Sequence, residues 1–109
     1  MDYDYIEIEK DLIPYRFDIS LADEMFTFEV HYNEDFDFFT VNLEKNGEVL
    51  AVGEKLVYEM PLFYDFQDNR FPKVPIVPYD ESEQQTAVTW ETLNESVFLY
   101  VIAGDDEDE

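Results

Sequence analysis

The chain has 109 residues, 46% hydrophobic and 17% aromatic, which supplies large side chains for one core and argues against wholesale disorder. It has no Cys, so neither a disulfide framework nor a thiolate metal site is open to it. Six Lys/Arg against 28 Asp/Glu set the formal charge at −22, which repels phosphate backbones and anionic lipid, so no nucleic acid and no membrane is expected as a direct partner.

Met1 to Lys10 carries acids and aromatics where a signal peptide would carry basic residues and an apolar run, so export by the usual signal is not expected. From Tyr15 on, apolar and polar residues alternate with the period of strands that bury one face. Tyr15 to Leu21 reads as one strand, and Phe26, Phe28, Val30 and Tyr32 mark a second beyond the turn Ala22-Asp23-Glu24. After the polar loop Asn33-Glu34-Asp35, the residues Phe39, Val41 and Leu43 alternate in a third. Asn46-Gly47 is a strong hairpin signal, because both positions accept the positive φ of a type I′ turn, and it predicts a returning strand over Glu48 to Val52.

Lys55 to Tyr58 is a candidate further strand, and Pro61-Leu62-Phe63-Tyr64 breaks or bends the chain. Pro72, Pro75 and Pro78 exclude a helix or central strand, and an ordered extended segment on the surface or at a sheet edge is expected. The loop Asp80 to Gln85 and the stretch Ala87 to Trp90 precede a turn or single helical turn at Glu91 to Glu95. Val97 to Ile102 is apolar on both faces and reads as a central buried strand. The fold class is therefore all-β: one antiparallel domain over 1–103 of about seven short strands, barrel-like or two-layered, with the barrel favoured. Residues 104–109 form an acidic tail that is expected to be disordered.

Catalytic chemistry is poorly supplied. His31 is the sole histidine, it falls on the polar face of a strand, and a triad would need Ser20, Ser82 or Ser96 beside it. With only three glycines there is no phosphate-cradling loop, and no cofactor is expected. Asn33, Asp35, Asp37 and Glu44 match the ligand spacing of an EF-hand, but Phe38 stands where that loop needs Gly and the flanks read as strands, so a calcium site is the minor reading. The aromatic set Phe26, Phe28, Phe36, Phe38 and Phe39 reads as core before ligand pocket. Arg70 and Lys73 flank Phe71-Pro72. This segment is either a docking edge with a cationic anchor or a place where Arg70 pairs with Asp65 or Asp68. Lys55 has the same two readings, with an internal ion pair expected.

A set of stretches runs in one order over about residues 12–102: Pro14-Tyr15-Arg16-Phe17, Phe26-Thr27-Phe28-Glu29-Val30 with Tyr32-Asn33, Asp37-Phe38-Phe39-Thr40-Val41, Asn46-Gly47-Glu48 and Gly53-Glu54-Lys55-Leu56-Val57-Tyr58. Pro61-Leu62-Phe63, Arg70-Phe71-Pro72, Val88-Thr89-Trp90 and Val97-Phe98-Leu99-Tyr100-Val101 complete the set. Together they resemble the baseplate plug proteins of contractile-tailed phages and their prophage relatives. The chain departs from the pattern at Glu59-Met60, where a Gly-containing turn is expected. The resemblance implies a structural protein of the virion tail, made in the host cytoplasm, with hub, spike and tube proteins as partners and several copies around the tail axis. It implies no enzymatic activity and no cofactor. Arg70, Phe71, Pro72, Pro75 and Pro78 are the expected partner-contact residues. The alternative of another class is an acidic nucleic-acid mimic that inhibits a DNA-binding protein, and a calcium-dependent binding module is a third.

Overall fold

Alternation of apolar and polar residues, read off as strands, accounts for most of the architecture. The computed structural model describes residues 4–66 and 68–102. Among them are the strands β1 (Asp4–Ile6), β2 (Tyr15–Leu21), β3 (Glu24–Asn33), β4 (Phe38–Lys45), β5 (Glu48–Lys55), β6 (Ile76–Tyr79) and β7 (Phe98–Val101). They form two antiparallel sheets, a meander in the order β2-β3-β4-β5 and a three-stranded sheet in the order β1-β7-β6. The acidic tail lies outside the described residues.

Turn chemistry sets the meander's register. Ala22 and Asp23 take positive φ (51° and 65°) between β2 and β3, and Asn46 and Gly47 do the same (53° and 78°) between β4 and β5. Two successive left-handed residues match the right-handed twist of a hairpin, so the strands leave each turn in tight pairing. Arg16 is thereby placed opposite Glu29, and Phe17 opposite Phe28. β5 is less regular: two register shifts disturb its pairing with β4, and the Gly53 N–H donates to Asn42 Oδ1 at 2.8 Å at the first of them. Gly53 carries φ 75°, which suits a residue without Cβ.

One cluster of buried side chains joins the two sheets. Phe26, Phe28, Val30, Phe39, Val41 and Leu43 come from the meander, and Ile6, Ile76 and Leu99 from the smaller sheet. Leu56, Leu62, Phe63 and Phe71, on the connection between β5 and β6, fill the space beside them. Burying a Phe or Leu side chain contributes about 1.5–3 kcal/mol, so this cluster is the main source of cohesion in a chain without covalent staples.

Of the two expected arrangements, the two-layered one is found. The sheets do not close into a barrel, because β2 and β5 end one sheet and β1 and β6 end the other. β7 occupies the central place expected of Val97 to Ile102. Its double-sided apolar pattern has a clear cause: Leu99 points into the core, while Phe98 and Tyr100 pack on the other face with Tyr5, at ring separations of 4.7 and 6.3 Å. The candidate strand at Lys55 to Tyr58 contributes only its first residue, to the end of β5. Leu56 adds one more bond to the meander, its N–H donating to the Phe39 carbonyl at 3.0 Å, and the chain then leaves the sheet.

Candidate partner-contact surface

The proline-bearing segment is ordered and lies at an edge, as its composition requires. β6 ends the smaller sheet, and Pro78, which has no N–H to give, sits within it. That edge is not open. The N–H groups of Glu59 and Leu62 donate to the carbonyls of Pro78 and Ile76, each at 2.8 Å, so the connection after β5 runs along β6 and covers it. Glu59 also occupies the third position of a turn closed by the Met60 N–H on the Val57 carbonyl at 3.0 Å, with φ 64°. A residue type other than Gly thus holds the conformation for which Gly is suited.

The ion-pair reading of Arg70 finds its partner in Asp68. Its guanidinium grips Asp68 through Nε and Nη2 (3.0 and 2.5 Å) and Glu48 through Nη1 (2.6 Å), yet the side chain stays about half exposed. The Arg70 guanidinium holds the Asp68 carboxyl down at about 2. Lys73 donates to Glu24 at 3.2 Å and to the Asn69 carbonyl at 2.9 Å, and Lys45 pairs with the same Glu24. These contacts tie the segment to the end of the meander that carries the two hairpin turns. Phe71 is 7% exposed and belongs to the core, stacked on Phe66 with ring centroids 4.5 Å apart. Pro78 is buried, Pro72 half-buried and Pro75 exposed. Of the five expected contact residues, the structure presents Arg70, Pro72 and Pro75 to the surroundings, with Phe71 and Pro78 behind them.

The polar side of the meander holds a charge ladder. Arg16 Nη1 lies 3.0 Å from Glu29 and 2.7 Å from Glu44, and His31 Nε2 lies 2.8 Å from the other oxygen of Glu29. His31 is therefore a strand residue on an acidic neighbour. Ser82, one of the hydroxyls weighed beside it, donates to Asp80 at 2.6 Å. The buried Asp80 carboxylate also accepts the backbone N–H groups of Ser82, Gln84 and Gln85, which holds its pKa below the usual carboxylate range, the Ser82 hydroxyl leading. The EF-hand spacing has another explanation too. Asn33 Oδ1 accepts the Phe36 N–H at 3.1 Å, and Asp37 Oδ1 accepts the Tyr32 hydroxyl at 2.6 Å, so both side chains hold the β3–β4 loop together. Among the described residues, no group of three or more His, Asp or Glu is placed to hold a metal ion.

The aromatic set divides. Phe26, Phe28 and Phe39 are core, whereas Phe36 is 78% exposed at the tip of the β3–β4 loop. Phe38 lies beneath Lys55, whose ammonium sits 4.7 Å from the ring centroid. This cation–π contact takes the place of the ion pair expected of Lys55, which has no carboxylate partner among the described residues. Phe36 and Phe38 line a groove of about 430 Å³ together with Lys55, Val57 and Val88. A second groove, of about 220 Å³, adjoins it and is lined by Lys55, Val57, Met60, Pro61 and Tyr64. Sequence reading missed this band. Its residues come from the β3–β4 loop, the ends of β4 and β5, the connection after β5 and the stretch before β7, with no period to join them, and only the position of Phe36 beyond a polar loop could have set it apart from the core stripe.

A family model described as cyanophage baseplate Pam3 plug gp18 matches residues 3–105. No curated protein matches the chain.

Proposed function

Because the chain belongs to the cyanophage baseplate plug family, we propose that it is a structural protein of a contractile tail baseplate, in a phage or a phage-derived particle. There it plugs or caps the central hub and tube, holding hub, spike and tube proteins by contact alone and taking part in no covalent chemistry. It is made in the host cytoplasm and enters the particle in several copies around the tail axis. The match over residues 3–105 carries this reading, since it spans both sheets and the connection between them.

The architecture fits such a role. A rigid two-layered β domain offers faces and loops whose positions are fixed by a shared core, and repeated contacts in a symmetric assembly add up. The shoulder formed by Arg70, Pro72 and Pro75 is the proposed contact region on the side of the hairpin turns. Phe71 and Pro78 support it from within.

Tail particles purified from cells with and without the gene test the proposal. Mass spectrometry is expected to find the chain in normal particles, and electron microscopy is expected to reveal loss of density at the baseplate axis when the gene is deleted. Intact baseplates with unchanged axial density in the deletion would overturn it.

A further inference from the structure

All six basic residues fall within the described part of the chain, and five of them meet carboxylates: Lys10, Arg16, Lys45, Arg70 and Lys73. The sixth, Lys55, lies in the wall shared by the two grooves and is held over Phe38. Around it runs a band of exposed apolar side chains, Phe36, Val57, Met60 and Tyr64, with exposures of 37% to 78%. Val57 belongs to the same wall, since it too lines both grooves. A partner lying across this wall would seat one apolar side chain on each side of it. Isolated exposed apolar residues are ordinary, whereas a continuous band with pockets is the form of an interaction site.

The border of the band is acidic. Asp37 and Glu54 line the grooves, and each accepts a backbone N–H, from Trp90 at 2.9 Å and from Phe63 at 2.7 Å. Glu59 and Asp65 are exposed chain neighbours of Met60 and Tyr64. We propose that this band docks a protein face of opposite character, an apolar centre bordered by Lys and Arg. Charge complementarity selects that occupant. A second copy of the chain would bring a formal −22 against −22, and nucleic acid would bring phosphates against carboxylates. The inference deepens the baseplate reading and rests on it, by giving the partner chemistry of one face.

The test uses assembled tail particles in which the chain carries a photo-crosslinking phenylalanine analogue at Val57, or at Ser20 on the outer side of β2 as a control. The chain's presence in each particle is checked first by mass spectrometry. Val57 is expected to give an adduct with a different polypeptide, through a peptide with apolar residues flanked by Lys or Arg, and Ser20 to give none with that peptide. The pair Glu59→Lys and Asp65→Lys is expected to lower the adduct yield about tenfold, because like charges then face each other across the rim. Particles that contain the chain but give no Val57 adduct would overturn the inference while leaving the baseplate reading standing. An adduct with a second copy or with nucleic acid overturns it, as does an unchanged yield in the charge-reversed pair. Absence of the chain from the particles overturns the baseplate reading, and the inference falls with it.

Discussion

Trp90 and Asp37 are 53 residues apart in sequence, and the Trp90 backbone N–H donates to Asp37 Oδ1 at 2.9 Å. The same oxygen accepts the Tyr32 hydroxyl, while the Trp90 ring lies 4.9 Å from that of Tyr32 and is stacked on Phe39 at 6.1 Å. Lys10 completes the staple, donating to the Trp90 carbonyl at 2.6 Å. One carboxylate thus pins the β3–β4 loop to the stretch before β7. Asp37 has φ 59°, so Asp37→Gly suits the backbone and removes only the acceptor. We expect it to lower Tm by roughly 5 °C, and Asp37→Asn, which keeps an acceptor oxygen, to recover most of that loss. A thermal scan in which Asn is as damaging as Gly would shift the cause from the hydrogen bonds to the charge.

Glu59 holds a left-handed conformation that is uphill by about 1 kcal/mol for a residue with Cβ. Glu59→Gly removes that strain and one of 28 acids, against the larger backbone entropy of Gly in the unfolded chain. The net expectation is a gain of about 0.5 kcal/mol, read as a higher urea midpoint with an unchanged slope. A lower midpoint would rule out turn strain as the stronger effect.

Core and surface roles separate within the Arg70–Phe71 pair. Phe71→Ala leaves a cavity beside Phe63 and Phe66 and is expected to destabilise by about 3 kcal/mol or more. Arg70→Ala removes an exposed double ion pair and should leave Tm within a few degrees, since such pairs are screened and weak. Denaturant titration of both variants checks this. Equal losses would mean that Arg70 is structural.

Net charge makes a salt-dependent contribution. The ion pairs favour the fold and the surplus of acids opposes it. With a formal −22, repulsion among unpaired carboxylates outweighs a few exposed pairs. Tm should rise as NaCl goes from about 10 mM to 150 mM, where the screening length falls from about 30 Å to 8 Å. A flat or falling Tm would mean that the pairs dominate.

Acid acts through two opposed terms. Lys45 holds the Glu24 carboxyl below its ordinary value, the Tyr32 hydroxyl does so for Asp37, Arg16 for Glu44, Arg70 for Asp68 and Ser82 for Asp80. Each group binds fewer protons when folded, so its contribution is complete above the unfolded value of about 4 and is lost as pH falls through the lower folded value. Loss of carboxylate charge also relieves the repulsion of a formal −22. The urea midpoint should therefore peak between about pH 4.5 and 6 and drop steeply below about 4. A steady decline from pH 7 to 5 would contradict the balance.

The meander was legible because each device that makes it is local. Tyr15 to Leu21 alternates without a break, and Asn46-Gly47 announces its own turn. β1 was not read as a strand, although Ile6 and Ile8 alternate with Glu7 and Glu9, because three paired residues are too short for periodicity to register. Closure of the sheets was beyond reach for a different reason. The barrel-like expectation counted strands, whereas the outcome turns on where the connection after β5 goes, and its bonds to Ile76 and Pro78 join residues that share no sequence pattern. The exposed band around Val57 was hidden in the same way.

The backbone bonds that cover β6 have a consequence for behaviour at high concentration. Uncovered strand edges let identical molecules zip together into fibres. Here β6 is sealed by the molecule's own chain, β1 is only 3 residues long, β5 is broken by two register shifts, and β2 carries Arg16 and Asp18 on its outer side. A solution of this protein should stay free of cross-β polymer even when crowded, so that self-association does not compete with capture of its proper neighbours.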